Sequence, residues 1–195
     1  MTDESTVQLH FSGPFSFGGG ERSLFRCSSK NSACVYLWTI KSDLDHRFYI
    51  HYVGETTSLA KRQREHLIHM LGLNYGIFDP VAARRGELSL LWPGLWRDRT
   101  DEGPDRLLEA HARISGLVSD YVAALDVFVA PIDVDRSVRR HVEGAIAMNL
   151  RLNQKHECSL YPSDNHVGVG RTKRSLRILI SSDAPIAGLA DTLDI

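Results

Sequence analysis

The sequence predicts an α+β domain in which a strand hairpin and further short strands are interspersed with helices. Three observations support this. Residues 34–41 and 47–54 are rich in β-branched and aromatic side chains and flank a short polar turn, as a hairpin does. Residues 58–71 and 135–152 show apolar positions at helical spacing. A short apolar run at 127–130 sits between two helical stretches and supplies a third strand. The chain of 195 residues suits one domain with an insertion. A 43% apolar and 24% charged composition is that of an ordinary globular protein.

Taken in order, residues 1–33 contain Gly18-Gly19-Gly20 and many serines, and read as an irregular arm with one short strand at 7–11. The hairpin follows. Residues 58–71 then form a helix with Ser58 as N-cap and Leu59, Leu67, Met70 and Leu71 near one side. Asp79-Pro80 opens a short helix ending near Gly86, because proline is favoured at the first helical position. Residues 88–92 read as a strand, 96–104 as a polar loop and 105–125 as a helix weakened by Gly116. The helix at 135–152 places Val138, Val142, Ala145, Ile146 and Asn149 on one stripe, and residues 176–180 form a last strand. The core domain spans 34–181, with a tail at 182–195.

A three-residue turn, Asp43-Leu44-Asp45, pairs Ser42 with His46 and sets Tyr36 opposite Tyr52. Side chains alternate along a strand, so Tyr36, Trp38 and Ile40 would share a face with Tyr52, Ile50 and Phe48. The two phenols then lie near the open end of that face, where Gly54 leads into the next helix. Arg62 and His66 are one turn apart and project beside the apolar stripe. That puts a permanent cation and an imidazole at the rim that holds the phenols. The plainer alternative makes both tyrosines core residues with satisfied hydroxyls.

The net charge is −1, so composition alone does not announce a nucleic-acid binder. The basic residues are nevertheless grouped: Lys61, Arg62 and Arg64; Arg136, Arg139 and Arg140; Arg171, Lys173, Arg174 and Arg177. Cys27, Cys34 and Cys158 have no metal-like spacing and suit a reducing compartment. The polar, acidic start is unlike a signal peptide, and the apolar run at 88–92 is too short to span a bilayer. A cytoplasmic protein with no membrane association is expected.

Val35-Tyr36-Leu37, then Tyr52-Val53-Gly54, then Arg62 with His66 four residues on, resembles the GIY-YIG nucleases in order and spacing. The resemblance is sharp over 34–67 and looser over 127–165, and measured against it the elements around 77–120 make an insertion. It implies a small mixed or antiparallel three-stranded core sheet and a metal-dependent endonuclease that hydrolyses phosphodiester bonds, with DNA the expected substrate. Two tyrosines, an arginine and a histidine would be joined by a glutamate on a later helix and an asparagine beyond it. Glu143 is the candidate for the glutamate and sole protein ligand to Mg²⁺ or Mn²⁺. Its plainer role is a surface pair with Arg139, worth about 0.3–0.5 kcal/mol. Asn165 is the candidate for the asparagine, because its loop can reach a phosphate that Asn149 cannot. The resemblance implies that one of Tyr36 and Tyr52 is the base, here Tyr36, with Tyr52 and His66 orienting water or phosphate.

Phosphodiester hydrolysis needs an activated water, neutralised charge in the transition state and a stabilised leaving oxygen. Arg62 fits phosphate geometry and stays charged. Arg171, Lys173 and Arg174 are the expected contacts to the nucleic-acid backbone. Specificity would come from the insertion, the termini, a homodimer or a targeting partner. The alternatives are a non-catalytic nucleic-acid-binding module on the same fold, a zinc site at His156, Cys158 and His166, and a structural protein with a tyrosine-rich core.

Overall fold

Strand-forming and helix-forming segments alternate along the chain, and their apolar faces explain how they stack. The computed structural model describes residues 5–97, 100–153, 160–162 and 175–195. Strand β1 (Ser5–Ser16) is followed by the hairpin strands β2 (Cys34–Lys41) and β3 (Phe48–Thr56), then helix α1 (Leu59–Leu71). Next come β4 (Ile77–Phe78), α2 (Pro80–Arg84), β5 (Leu90–Trp92) and the long α3 (Gly103–Ala124). Strand β6 (Leu125–Pro131), helix α4 (Arg136–Asn153) and strands β7 (Leu176–Ser182), β8 (Ile186–Ala187) and β9 (Thr192–Asp194) complete the described chain.

The fold is α+β, but its sheet is larger than the three-stranded core expected from sequence. Seven strands pair in the order β8-β3-β2-β6-β1-β7-β9. The sheet is mixed: β1 with β7 and β3 with β8 run parallel, and the other pairs run antiparallel. The segment read as an irregular arm supplies β1, an inner strand between β6 and β7. Val7, Leu9 and Phe11 alternate with Gln8 and His10, and Leu9 and Phe11 are buried. The strand continues past Pro14 because the register shifts between Ser12 and Phe15, a bulge that spares the ladder a proline nitrogen. The expected tail at 182–195 is likewise built into the sheet, as β8 against β3 and β9 against β7.

The sheet is covered on both faces. Tyr36, Trp38 and Ile40 of β2 and Val127 and Val129 of β6 pack with Leu59 and Met70 of α1 and Ile114, Val118 and Tyr121 of α3. On the other face Val35, Leu37, Phe128, Leu9, Phe11 and Ile178 pack against Val142, Ala145, Ile146 and Leu150 of α4. Strands β2 and β6 therefore read as nearly unbroken apolar runs. Strand β7 alternates because one of its faces meets water.

The hairpin register differs from the one expected. The Ser42 N–H donates to the Arg47 carbonyl at 2.9 Å, so the turn holds four residues, and His46 takes a positive φ of 61°. Lys41 then faces Phe48, Ile40 faces Tyr49 and Thr39 faces Ile50. One step of register moves every side chain to the opposite face. Phe48 and Ile50 accordingly lie under α4, not beside Tyr36. A second shift between Trp38 and Thr39 leaves His51 as an extra residue, after which Trp38 faces Tyr52 and Tyr36 faces Gly54. The bulge restores Tyr52 to the face of Tyr36. His51 is buried there and fully bonded. Its Nδ1–H donates to the Leu160 carbonyl at 2.8 Å, so its Nε2 must accept from the Tyr121 hydroxyl at 2.7 Å.

Candidate active site

Among the described residues β3 meets β8 only at Phe48 and Tyr49, so its far end, residues 52–56, is an open sheet edge. The chain turns there into α1. The Ser58 N–H donates to Thr56 Oγ1 at 3.0 Å, and the Ser58 carbonyl accepts from the Arg62 N–H at 3.1 Å. Ser58 occupies the N-cap position, but its hydroxyl makes no cap bond. Helix α4 lies on the other face and reaches the same edge. Tyr52 from β3, Arg62 from α1 and Glu143 from α4 thus line one cavity of about 500 Å³, together with Glu55, Lys61, Arg136 and Arg140.

Tyr36 lies behind this cavity and is fully buried. Its ring fills the space that a side chain at position 54 would need: a β-carbon on Gly54 would collide with Tyr36 Cζ and Oη. The glycine after Tyr52-Val53 is therefore what lets the two strands hold a phenol between them. Tyr36 Oη is 2.7 Å from His66 Nε2, and His66 Nδ1 is 3.1 Å from Tyr75 Oη. Burial, then the charge of Arg62 and His69, pushes the His66 pKa down to about 3. The ring is neutral, so one nitrogen donates and the other accepts. When Tyr36 donates to Nε2, Nδ1–H donates to Tyr75; in the other tautomer both bonds reverse.

The expected titratable imidazole at the rim is thus a buried connector. Burial explains the correction: Leu59, Gln63, His66 and Met70 form the inner face of α1. The Trp38 indole N–H fixes that face by donating to Gln63 Oε1 at 2.9 Å. Leu71, expected on the apolar side, is exposed, as is Arg64.

Burial raises the Tyr36 phenol well above its usual range, and Tyr52 adds to this, while the charge and hydrogen bonding of Arg62 pull it down. Tyr52 is raised by burial and then by Glu143, and is opposed by Arg62 and by hydrogen bonding from Tyr36 and Arg62. Burial works against the Arg62 charge, but the two phenols and Glu65 more than offset it, and Arg62 Nη1 lies 3.3 Å from Glu65 Oε2. One guanidinium therefore acts on both phenols.

Glu143 is half-buried. Burial and then the nearby Glu55 carboxylate push its pKa up to about 7, against the Glu55 backbone N–H, Arg140 and Arg62. The surface pair with Arg139 does not form. Arg139 is buried, pairs with Glu55 at 3.4 Å and also donates to the Val134 carbonyl; Arg136 pairs with Glu55 at 3.2 Å. The second basic group is therefore split, with Arg139 serving the fold and Arg140 facing the cavity. Among the described residues no three His, Cys, Asp or Glu side chains converge as a ligand cage. A hard cation that keeps several waters and takes one carboxylate fits Glu143. Such a charge would restore the ionised form that burial and Glu55 disfavour.

The structure brings Tyr36, Tyr52, Arg62, His66 and Glu143 together. Asn165, Arg171, Lys173 and Arg174, and the rival zinc set His156, Cys158 and His166, lie outside the described residues. Glu55 and Tyr75 also belong to the site and were not anticipated. Glu55 directly follows Tyr52-Val53-Gly54, a signal the sequence does carry, and its side chain is nearly covered by its pairing with Arg136 and Arg139. Tyr75 enters only through the fold of the chain after α1. No family model, curated protein or solved structure matches the chain.

Proposed function

We propose that the protein is a divalent-cation-dependent endonuclease of the GIY-YIG type that hydrolyses phosphodiester bonds in nucleic acid, with DNA the preferred polymer. The observation that carries this reading is the single cavity shared by Tyr52, Arg62 and Glu143, with the Tyr36–His66 pair directly behind it.

Arg62 holds the scissile phosphate; a guanidinium stays charged, and Glu65 Oε2 lies 3.3 Å from its Nη1. Tyr52, on the cavity wall, is the phenol that can reach a substrate-side water; Tyr36, fully covered, acts through its neighbours. Tyr52 Oη as phenolate accepts a proton from the attacking water as the water oxygen bonds to phosphorus and the bond to the leaving oxygen breaks. Arg62 stabilises that phenolate, while burial and Glu143 oppose it. Glu143 would hold the cation. Mg²⁺ or Mn²⁺ bound there would supply Lewis-acid stabilisation of the phosphoryl and leaving oxygens. Tyr36 and His66 fix Tyr52 and Arg62 in place. Lys61 and Arg140 add positive charge at the cavity rim.

The test is incubation of the full chain with supercoiled plasmid, linear duplex DNA, single-stranded DNA and single-stranded RNA, with Mg²⁺ and with chelator. Cleavage of DNA with Mg²⁺ and none with chelator is expected. Intact polymers in every Mg²⁺ arm would overturn the reading.

A further inference from the structure

A second cavity, of about 410 Å³, opens beside the first and shares Tyr52 and Arg62 with it. Ligand pockets run to roughly 300–1,000 Å³, so there is room for a small flat group and not for a duplex. Its wall is aromatic: Tyr75, Phe78 and Trp96 join Tyr52, with Asn74 as a polar member. Trp96 is 49% exposed, and its ring centroid is 5.0 Å from that of Tyr75 and 4.6 Å from that of His69.

This wall is built by the segment after α1. Leu73 takes a positive φ of 57°, and its carbonyl accepts from the Trp92 indole at 2.8 Å and from the Leu95 N–H at 3.0 Å. Gly94, at a φ of +91°, lies so close to Asn74 and Tyr75 that a β-carbon would come within 2.7 Å of their backbone. The loop carrying Trp96 is thereby pressed against the loop carrying Tyr75.

We propose that this second cavity binds one unpaired nucleobase next to the phosphate held by Arg62, so that the substrate is single-stranded or locally unpaired DNA. The inference rests on the nuclease reading above. Continuity carries it: in a nucleotide the base lies one sugar away from its phosphate, and here an aromatic cavity adjoins the arginine cavity, the two sharing Tyr52 and Arg62. Every base has a π-face, so stacking on Tyr75 and Trp96 needs no particular sequence. A base inside a duplex is already stacked and paired, and drawing it out is unfavourable. Unpaired strands are therefore favoured.

Equilibrium binding of a fluorescent oligothymidylate, the same oligomer carrying abasic positions, and a duplex of equal length is measured in chelator, with cleavage followed in parallel with Mg²⁺. Wild type is expected to bind the single strand more tightly than either alternative. Trp96→Ala should weaken single-strand binding roughly five- to a hundredfold, the effect of losing one stacked base, with little change for duplex. Trp96→Phe should recover most of it, and both variants should melt near wild type because Trp96 is half exposed. Trp96→Ala bound as tightly as wild type, or a wild-type preference for duplex, overturns the base pocket. If cleavage persists in that case, the nuclease reading stands. Failure of wild type to bind or cleave any DNA overturns both.

Discussion

At the scale of single residues, two phenols that look alike in sequence have unequal positions. Tyr52 lines the cavity, while Tyr36 is covered and bonded to His66. Replacing each with Phe keeps the ring and removes one hydroxyl. Tyr36→Phe strips a buried imidazole nitrogen of its partner and should lower stability by about 1–3 kcal/mol, whereas Tyr52→Phe should stay within about 1 kcal/mol of wild type. Activity should follow the opposite order, with Tyr52→Phe losing most cleavage and Tyr36→Phe retaining more. Denaturant melts and single-turnover rates on the same preparations check this. A fully active Tyr52→Phe would return that residue to simple packing. The types and spacing of Tyr36, Tyr52, Arg62 and His66 were legible in the sequence. Which phenol faces water was not, because exposure depends on Gly54 and on a strand register that no local pattern encodes.

At the scale of elements, the bulge at His51 and the inner face of α1 each bury a histidine. Burial pushes His51 down to about 4 and His66 to about 3, from 6.5. Lowered folded-state values mean that both rings stabilise the fold fully above pH 6.5 and lose that contribution as pH falls toward 4 and 3. Glu143 has the opposite sign. Its folded value of about 7 against 4.5 makes its contribution greatest below 4.5 and lost as pH rises to 7. Between pH 4.5 and 6.5 two histidine protons are thus opposed by one glutamate proton. In metal-free buffer, Glu143→Gln should show a steeper loss of stability on acidification than wild type, by about 1.4 kcal/mol per pH unit. Parallel curves from denaturant unfolding at each pH would show that Glu143 is not raised. The hairpin strands and the long helices were readable from period and composition. The bulge was not, since an extra residue leaves no mark of its own in an apolar run.

At the scale of the whole molecule, the expected three strands became seven because both ends of the chain join the sheet. The alternation of Val7, Leu9 and Phe11 gave a short strand at 7–11, but Gly18-Gly19-Gly20 and the many serines argued for an irregular segment around it. The β1–β7 pairing joins residues some 170 positions apart, a contact that local pattern cannot specify. The segment between α1 and β6 supplies the α3 face of the core and part of the aromatic cavity, so it does more than connect the two. No helix among the described residues is long and apolar enough to cross a membrane. Everything proposed about chemistry depends on the open edge of β3, where three elements bring Tyr52, Arg62 and Glu143 to one cavity. Glu143 faces that cavity half-buried beside the Glu55 carboxylate, and the arginine expected to pair with it, Arg139, is taken by Glu55. The rate of Mg²⁺-dependent cleavage of supercoiled plasmid by Glu143→Ala is therefore the most direct measurement. Loss of cleavage to the level seen with chelator, with the melting transition retained, is the predicted result; cutting at the wild-type rate would contradict the account.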